Sequence, residues 1–207
     1  MSTAPVVIVL AAGHGSRYRG PRHKLAEPLQ DTSVLGCTVR NAIASGLPVL
    51  VVSSQDMADE AAHWIARRDL VVLGQDGAPA RGGMGDSIAA GVSARASASG
   101  WLVLPADMPM VRPASLRQVA AALSRHAVAH AQHKGRRGHP VGFSSELFSE
   151  LVRLTGEEGA RKVLARYPAH AVELDDPGVL LDLDTVDRKS TRLNSSHSQQ
   201  SRMPSSA

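Results

Sequence analysis

The stretch VVIVLAAGHGSRYRGPRHKL, residues 6–25, decides the fold. It begins as a run of β-branched and aliphatic residues and passes into a small, glycine-punctuated loop that carries basic side chains. Such a run is typical of a buried strand, and the loop after a strand is where parallel sheets bind ligands. Small residues let backbone N–H groups approach a bound group closely, as in loops that cradle phosphates. We expect a strand over 5–11 and an anion-facing loop over 12–23.

Apolar runs alternate with helical patterns along the rest of the chain. The patterns predict strands over 5–11, 48–54, 70–73 and 101–105, and helices over 33–45, 56–67, 86–98 and 113–125. After residue 127 they predict two strands within 128–144, helices over 145–154 and 157–167, and strands over 170–174 and 179–183. Alternating strands and helices imply a parallel sheet covered on both faces. The predicted fold class is α/β: a Rossmann-like, doubly wound, mostly parallel sheet in three layers.

The basic charge of the chain is concentrated at its end. Lys and Arg number 23 against 19 Asp and Glu, but four of these basic residues and no acid lie within 188–207. Residues 1–187 therefore carry equal numbers of basic and acidic side chains. We interpret 1–187 as a single domain. Residues 188–207 are Ser-rich and without periodicity, so we expect a disordered, non-native tail, with a natural basic tail as the alternative.

The composition argues against several classes of protein. Aromatic residues make up only 3%, too few for the stacking platforms that bind single-stranded nucleic acid. No apolar run approaches the roughly 18 residues that a membrane span needs. The lone cysteine, Cys37, permits no disulfide within the chain, which fits a reducing compartment. We expect a cytoplasmic protein with no nucleic-acid or membrane partner.

Charged residues follow the first and fourth predicted strands. In the first loop Arg17 and Lys24 add positive charge where a triphosphate carries negative charge. The loop fits neither GxGxxG, because Tyr18 stands at the third glycine position, nor the GxxxxGK[ST] phosphate loop. In LVLPADMPMV, residues 102–111, Asp107 follows a buried strand and is placed to hold Mg²⁺. The alternatives are a plain turn with surface cations and an aspartate that caps a turn.

Two further segments carry candidate site residues. In GGMGDSIAAG, residues 82–91, glycines precede a helix with Asp86 and Ser87 at its start. Helix N-termini attract anions, although ordinary capping by either side chain explains the pattern as well. In GRRGHP, residues 135–140, His139 follows a turn. A lone histidine is more often structural or solvated than functional.

Taken together, these segments resemble the MobA-like nucleotidyltransferases, and most closely their molybdenum-cofactor cytidylyltransferase branch. The resemblance covers about residues 6–187 and rests on six segments in the same order. They are LAAGHGSRYRGPRHKL (10–25), PARGGMGDSIAAG (79–91), LPADMP (104–109), GRRGHP (135–140), GEEGAR (156–161) and DLDTVD (182–187). The chain departs from the family pattern in a longer loop between Arg17 and Lys24, and in Asp86 where the pattern has a serine.

The resemblance implies a Rossmann-like sheet of the nucleotide-diphospho-sugar transferase type and assigns roles to matching positions. The catalytic residues would be Arg17, Lys24 and Asp107. Asp107 would hold Mg²⁺, with Asp184 as a second ligand, and His139 would bind the acceptor. The nucleotide-binding residues would be Leu10, Ala11, Ala12, Gly13, Gly15, Lys24 and Ser87.

The implied reaction is transfer of a nucleoside monophosphate from an NTP to a phosphate on an acceptor, with release of pyrophosphate. The resemblance suggests CTP, a molybdopterin-type acceptor and a client molybdenum hydroxylase. Three alternatives remain open at this stage. They are a nucleotidyltransferase for a sugar or alcohol phosphate, a non-catalytic cofactor-binding chaperone, and a nucleotide-dependent oxidoreductase, which the misfit to GxGxxG weakens.

Overall fold

The computed structural model describes residues 4–13, 23–75 and 83–183. Its strands are β1 (Val6–Ala11), β2 (Pro28–Leu29), β3 (Thr32–Ser33), β4 (Val49–Ser53), β5 (Leu70–Val72), β6 (Gly100–Pro105), β7 (Val128–His133), β8 (Arg136–Ser144) and β9 (Ala169–Glu173). Its α-helices are α1 (Val34–Ala44), α2 (Ala58–Ala62), α3 (Met84–Ala94), α4 (Pro113–Ala122), α5 (Phe148–Leu151) and α6 (Arg161–Arg166). Short 3₁₀ turns span Lys24–Ala26, Gln55–Met57, Arg67–Asp69, Ser145–Leu147 and Pro177–Leu180.

The described residues form a seven-stranded central sheet in the order β5-β4-β1-β6-β8-β7-β9. Strand β1 pairs in parallel with both β4 and β6, and β5 and β9 also run in parallel with their neighbours. Strand β8 is antiparallel to β6 and to β7. The predicted mostly parallel, doubly wound sheet is confirmed, with β8 as its one reversed strand.

Both faces of the sheet are covered, and the central strands β1, β4 and β6 are almost entirely apolar. Alternate residues of β1 pack into two separate cores: Val7 and Val9 on one face, and Ile8 on the other. All three side chains are fully buried, which stabilises the fold by about 1.5–3 kcal/mol each. Helices α1 and α4 lie on the first face and α3 on the second. The result is the predicted three-layer arrangement.

The prediction of a strand over 179–183 is wrong. Residues 177–180 form a 3₁₀ turn instead, and Asp176 accepts a hydrogen bond from the backbone N–H of Gly178 at 2.9 Å. A Cβ on Gly178 would lie 2.0 Å from the Met110 carbonyl oxygen, so this turn packs its backbone directly on the 106–111 loop. That close contact stabilises the turn and overrides the strand-like apolar pattern.

Several predicted helices are shorter than expected, for local reasons. The helix predicted over 157–167 begins only at Arg161, because Gly159 has a φ of +57° that a right-handed helix cannot include. The helix predicted over 56–67 is confined to α2. Helix α3 begins at Met84, two residues earlier than predicted, with Gly83 as its N-cap. The predicted tail, 188–207, lies outside the described residues.

Across the described ranges, no helix has both the length and the apolar character required to cross a membrane.

Candidate functional site

The carboxyl ends of β1 and β6 bring the first predicted site residues to one edge of the sheet. The backbone N–H of Ala106, just after β6, donates to the Leu10 carbonyl at 3.0 Å. Thr38 of α1 donates its hydroxyl to the Ala106 carbonyl at 2.8 Å. Asn41 of the same helix donates to the Pro109 carbonyl at 2.8 Å. These bonds fix the loop that carries Asp107 against the end of β1.

Lys24 and Asp107, two of the three predicted catalytic residues, form an ion pair. The Lys24 Nζ lies 2.7 Å from the Asp107 Oδ2, and the two side chains are 14% and 22% exposed. Partial burial strengthens such a pair relative to one on the surface, because less water screens it. The longer loop between Arg17 and Lys24 therefore does not prevent Lys24 from reaching the end of β6.

His23 fixes the start of the turn that carries Lys24. Its Nδ1 accepts a hydrogen bond from the Leu25 backbone N–H at 3.3 Å. That assignment leaves the proton on Nε2, which lies 3.2 Å from the Gly13 carbonyl oxygen and donates to it. His23 thus joins the two described ends of the basic loop. Sequence reasoning did not select this residue, because a histidine beside a lysine carries no distinctive motif.

His139 reaches the same edge because β8 runs opposite to β6. The register pairs Val103 with Val141, so the start of β8 lies beside the carboxyl end of β6. Burial lowers the pKa of His139 foremost, and the Arg137 charge lowers it further. The carboxylates of Asp107 and Asp182 act in the opposite direction without reversing the shift. The lowered pKa favours the neutral imidazole at neutral pH, and the charges of both carboxylates act on it.

Residues 174–183, which follow β9, also contact the loop that carries Asp107. The Leu183 backbone N–H donates to the Asp107 carbonyl at 3.0 Å. A Cβ on Gly138 would lie 2.2 Å from the Val179 carbonyl oxygen, so β8 and this segment approach backbone to backbone. Asp182, which sequence reasoning did not select, is brought near His139 in this way. Its signal was the DLDTVD segment, where only Asp184 was chosen.

Beside His139, a cavity of about 410 Å³ extends between α3, β8 and α6. Its apolar lining comes from residues on alternating positions of β8 and on the facing elements: Met84, Ile88, Val103, Val141, Phe143, Ala160 and Leu164. Its charged lining consists of Arg137, Glu157, Glu158 and Arg161. Both arginines lie within segments that marked the family resemblance, GRRGHP and GEEGAR, but neither was predicted as a site residue.

Ser87 and the first-strand residues have well-defined positions. Ser87 is buried, and its hydroxyl donates to the Gly83 carbonyl at 3.1 Å. Ala11 and Ala12 are buried at the end of β1, whereas Gly13 is exposed. The roles predicted for these residues and for Leu10 stay predictions. Gly15, Arg17 and Asp184 lie outside the described residues.

The described residues fit a divalent cation that is bound together with a phosphate ligand. Those residues contain no cluster of three or more His, Cys, Asp or Glu side chains able to hold a metal ion. Mg²⁺ is commonly held by one or two carboxylates plus substrate phosphates, and Asp107 supplies hard oxygen donors of that kind at the edge of the sheet. Its Oδ2 is paired with Lys24, so a cation there would share this carboxylate with the lysine.

Comparisons with known proteins agree with this architecture. The family sequence model of the MobA-like NTP transferase domain matches residues 7–172. The purine catabolism protein PucB of Bacillus subtilis is 32% identical over 197 residues, which cover 88% of this chain and 93% of that protein.

Solved structures of two other proteins show the same fold. The structure of Rv0371c from Mycobacterium tuberculosis superposes with a TM-score of 0.72 at 28% identity, covering 93% of this chain and 99% of that one. The same mycobacterial protein has also been solved in complex with manganese. Molybdopterin-guanine dinucleotide biosynthesis protein A from Archaeoglobus fulgidus superposes with a TM-score of 0.67 at 16% identity, covering 92% and 99%.

The Archaeoglobus fulgidus structure shows a likeness of fold alone. The domain match and the 32% identity to PucB show which family the chain belongs to. Most of the sheet and the Lys24, Asp107 and His139 positions lie inside the matched range of 7–172. The chain therefore belongs to the MobA-like NTP transferase family and is a nucleotidyltransferase of that family.

Proposed function

We propose that the protein transfers a nucleoside monophosphate from an NTP to a phosphate group on a small acceptor and releases pyrophosphate. The observation that carries this proposal is the convergence of Lys24, Asp107 and His139 at one edge of the sheet, beside a cavity of about 410 Å³. The Lys24 ammonium group suits the polyphosphate end of a nucleotide, as does a metal ion held by Asp107. The cavity suits a second substrate.

In the proposed reaction an acceptor phosphate oxygen forms a bond to the α-phosphorus of the NTP. The bond from the α-phosphorus to the bridging oxygen breaks, and pyrophosphate leaves with that oxygen. Lys24, with the predicted Arg17, would bind the departing phosphates and stabilise the charge that they gain. Neutral His139 would hydrogen-bond the acceptor phosphate and orient it for attack. We place the base and ribose at Leu10–Gly13 and Ser87, and the phosphates at Gly15.

A magnesium ion, when bound, would offset negative charge on the phosphates of the nucleotide. We assign Asp107 as its carboxylate ligand and Asp184 as a second one. The structure supports the first assignment through the position of Asp107 at the edge of the sheet. It supports the second through Leu183, the residue before Asp184, which is hydrogen-bonded to the Asp107 backbone at 3.0 Å.

The lining of the cavity favours one class of acceptor. A sugar phosphate offers many hydroxyl groups, which bind to amide, hydroxyl and carboxylate side chains, and the described lining residues supply only the last of these. The cavity instead combines an apolar floor with two arginines and two glutamates, and no Ser, Thr, Asn, Gln or Tyr side chain is among its described lining residues. This surface suits a heterocycle whose ring face packs on the apolar residues, whose N–H groups bind the glutamates and whose phosphate binds the arginines. We therefore favour a molybdopterin-type acceptor over a sugar or alcohol phosphate.

The nucleotide, the partner and the compartment rest on the family resemblance. We propose CTP as the NTP, a client molybdenum hydroxylase that receives the product, and a cytoplasmic location. The name of the relative PucB refers to purine catabolism and specifies neither a nucleotide nor an acceptor.

Pyrophosphate release tests the proposed function. The full-length chain is incubated with Mg²⁺, each NTP in turn, and either molybdenum cofactor or a panel of sugar and alcohol phosphates. We expect release with CTP and molybdenum cofactor. Asp107→Ala should lower the rate at least about a hundredfold, because it removes the proposed ligand of the magnesium ion that offsets charge on the reacting phosphates.

Asp31→Ala provides the matched control, because Asp31 is an exposed aspartate that pairs with Arg40 at 2.9 Å. It should leave turnover unchanged. Release of no pyrophosphate with any acceptor would favour a non-catalytic, cofactor-binding role. Full turnover by the Asp107 variant would show that the metal assignment is wrong.

A further inference from the structure

Asp86 joins the start of α3 to the turn that precedes α6. Its Oδ2 accepts two backbone hydrogen bonds, one from Gly83 at 2.9 Å and one from Gly156 at 2.8 Å. The Gly85 backbone N–H donates to the Gly156 carbonyl at 2.8 Å and adds a third bond across the same contact. The first of these bonds is ordinary capping of α3. The second crosses 70 residues of chain and needs another explanation.

The two segments meet backbone to backbone. A Cβ on Gly83 would lie 2.3 Å from the Gly156 carbonyl carbon, and one on Gly85 would lie 2.8 Å from the Thr155 carbonyl carbon. No side chain other than hydrogen fits at either glycine. The Met84 side chain lies against Gly159, but apolar contact is small at Gly83 and Gly85, so the Asp86 carboxylate supplies much of the attachment of the turn there. The charge is favourable there because it lies in the first turn of a helix.

The turn held in this way, residues 155–160, forms one wall of the cavity beside His139. Glu157, Glu158 and Ala160 of this turn line the cavity, and they face the side formed by Arg137 and His139 on β8. Movement of the turn would therefore change the width of the cavity. It would leave the Lys24–Asp107 pair, which lies on other elements, in place.

We propose that Asp86 is a positioning residue that fixes turn 155–160 as a wall of the acceptor cavity, and so controls acceptor binding rather than nucleotide binding. The inference rests on the proposed function for its assignment of the cavity to the acceptor. It also explains why a negative charge is tolerated beside a predicted anion site. The Oδ2 is engaged by two backbone donors rather than directed at a bound phosphate.

Steady-state kinetics of Asp86→Ala test the proposal. Loss of a hydrogen bond to a charged group weakens an interaction by about 1.5–3 kcal/mol, or roughly ten- to a hundredfold. We expect the KM for the acceptor to rise at least about tenfold, while kcat and the KM for the NTP stay within about twofold. Asp86→Asn keeps an acceptor oxygen and should stay within about threefold of the wild type.

A matched control is Asp59→Ala, which removes an exposed acid from the first turn of α2. It should change none of these constants. Hydrogen exchange gives a second readout that requires no substrate. Backbone amides of 156–160 should exchange faster in Asp86→Ala than in the wild type or in Asp59→Ala, while amides of β1 and β6 keep their protection.

Unchanged exchange at 156–160 would overturn the proposal whatever the kinetics show. A rise in the KM for the NTP, or an equal fall in kcat for Asp86→Ala and Asp86→Asn, would overturn it as well. If the wild type itself released no pyrophosphate with any acceptor, the proposed function would fail and the acceptor-binding part of this inference with it. The exchange experiment would still decide whether Asp86 holds the turn.

Discussion

Replacement of Asp176 is expected to cause a large loss of stability. This carboxylate is 2% exposed and accepts three hydrogen bonds. The donors are the backbone N–H of Arg112 at 2.9 Å, the hydroxyl of Ser115 at 2.6 Å and the backbone N–H of Gly178 at 2.9 Å. It thereby caps α4 and the Pro177–Leu180 turn at once. The chain then continues from that turn to Leu183 at Asp107.

The size of the effect follows from these contacts. Each hydrogen bond to a charged group contributes about 1.5–3 kcal/mol, and the contributions do not add fully. Asp176→Ala leaves three donors without their acceptor, and each costs about 1–3 kcal/mol without full additivity, so we expect the free energy of unfolding to fall by about 3–5 kcal/mol. Asp176→Asn keeps one carbonyl oxygen and places an NH₂ group against a donor, so we expect a loss of about 2 kcal/mol.

Urea unfolding at constant pH measures both values. The slope of the free energy against urea concentration should stay unchanged, because the same surface is exposed on unfolding. Asp175→Ala is the control: the neighbouring side chain is exposed, and its loss should change the free energy by less than about 0.5 kcal/mol. A loss below about 1 kcal/mol for Asp176→Ala would refute the argument. If that variant fails to fold, Asp176→Asn still provides the test.

Two other perturbations concern Lys24 and His130. Lys24→Met should raise the dissociation constant for NTP at least about tenfold in a thermal-shift titration, because it removes a partly buried cation. Arg68→Met removes an exposed cation and should leave that constant unchanged. Equal effects of the two variants would contradict the assignment of Lys24 to phosphate binding. Burial foremost, then the Arg137 charge, lowers the pKa of His130, with Gln132 opposing and His170 adding to the shift. The free energy of unfolding should therefore fall as the pH drops below 6.5, the ordinary pKa of histidine, and it should fall less in His130→Gln. Denaturant titrations at several pH values measure both, and equal pH profiles for the two proteins would contradict the argument.

The sequence allowed the sheet and the two main site loops to be predicted, because their signals are local. A continuous run of buried residues such as Val7–Val9 determines a central strand, and a carboxylate after such a strand, as at Asp107, must lie at its carboxyl edge. The same reasoning located Lys24 on the first loop. The pairing of the two at 2.7 Å follows from the parallel order of β1 and β6.

The remaining features depend on contacts between distant segments, for which the chain carries no local signal. The strand-like pattern of 179–183 gave way to a turn because Gly178 packs against the Met110 backbone. The proposed positioning role of Asp86 depends on Gly156, which lies 70 residues away. Likewise, the pairing of β8 with β6, which brings His139 to the site, could not be deduced from the composition of either strand.

The direct test of the central claim is the fate of labelled phosphate. The full-length protein is incubated with Mg²⁺, acceptor and NTP labelled on either the α- or the γ-phosphate. Nucleotidyl transfer predicts that the α-label appears in the acceptor product and the γ-label in pyrophosphate, and that both signals are lost in Asp107→Ala. Appearance of the γ-label in the acceptor, or absence of any labelled product from the wild type, would contradict the account.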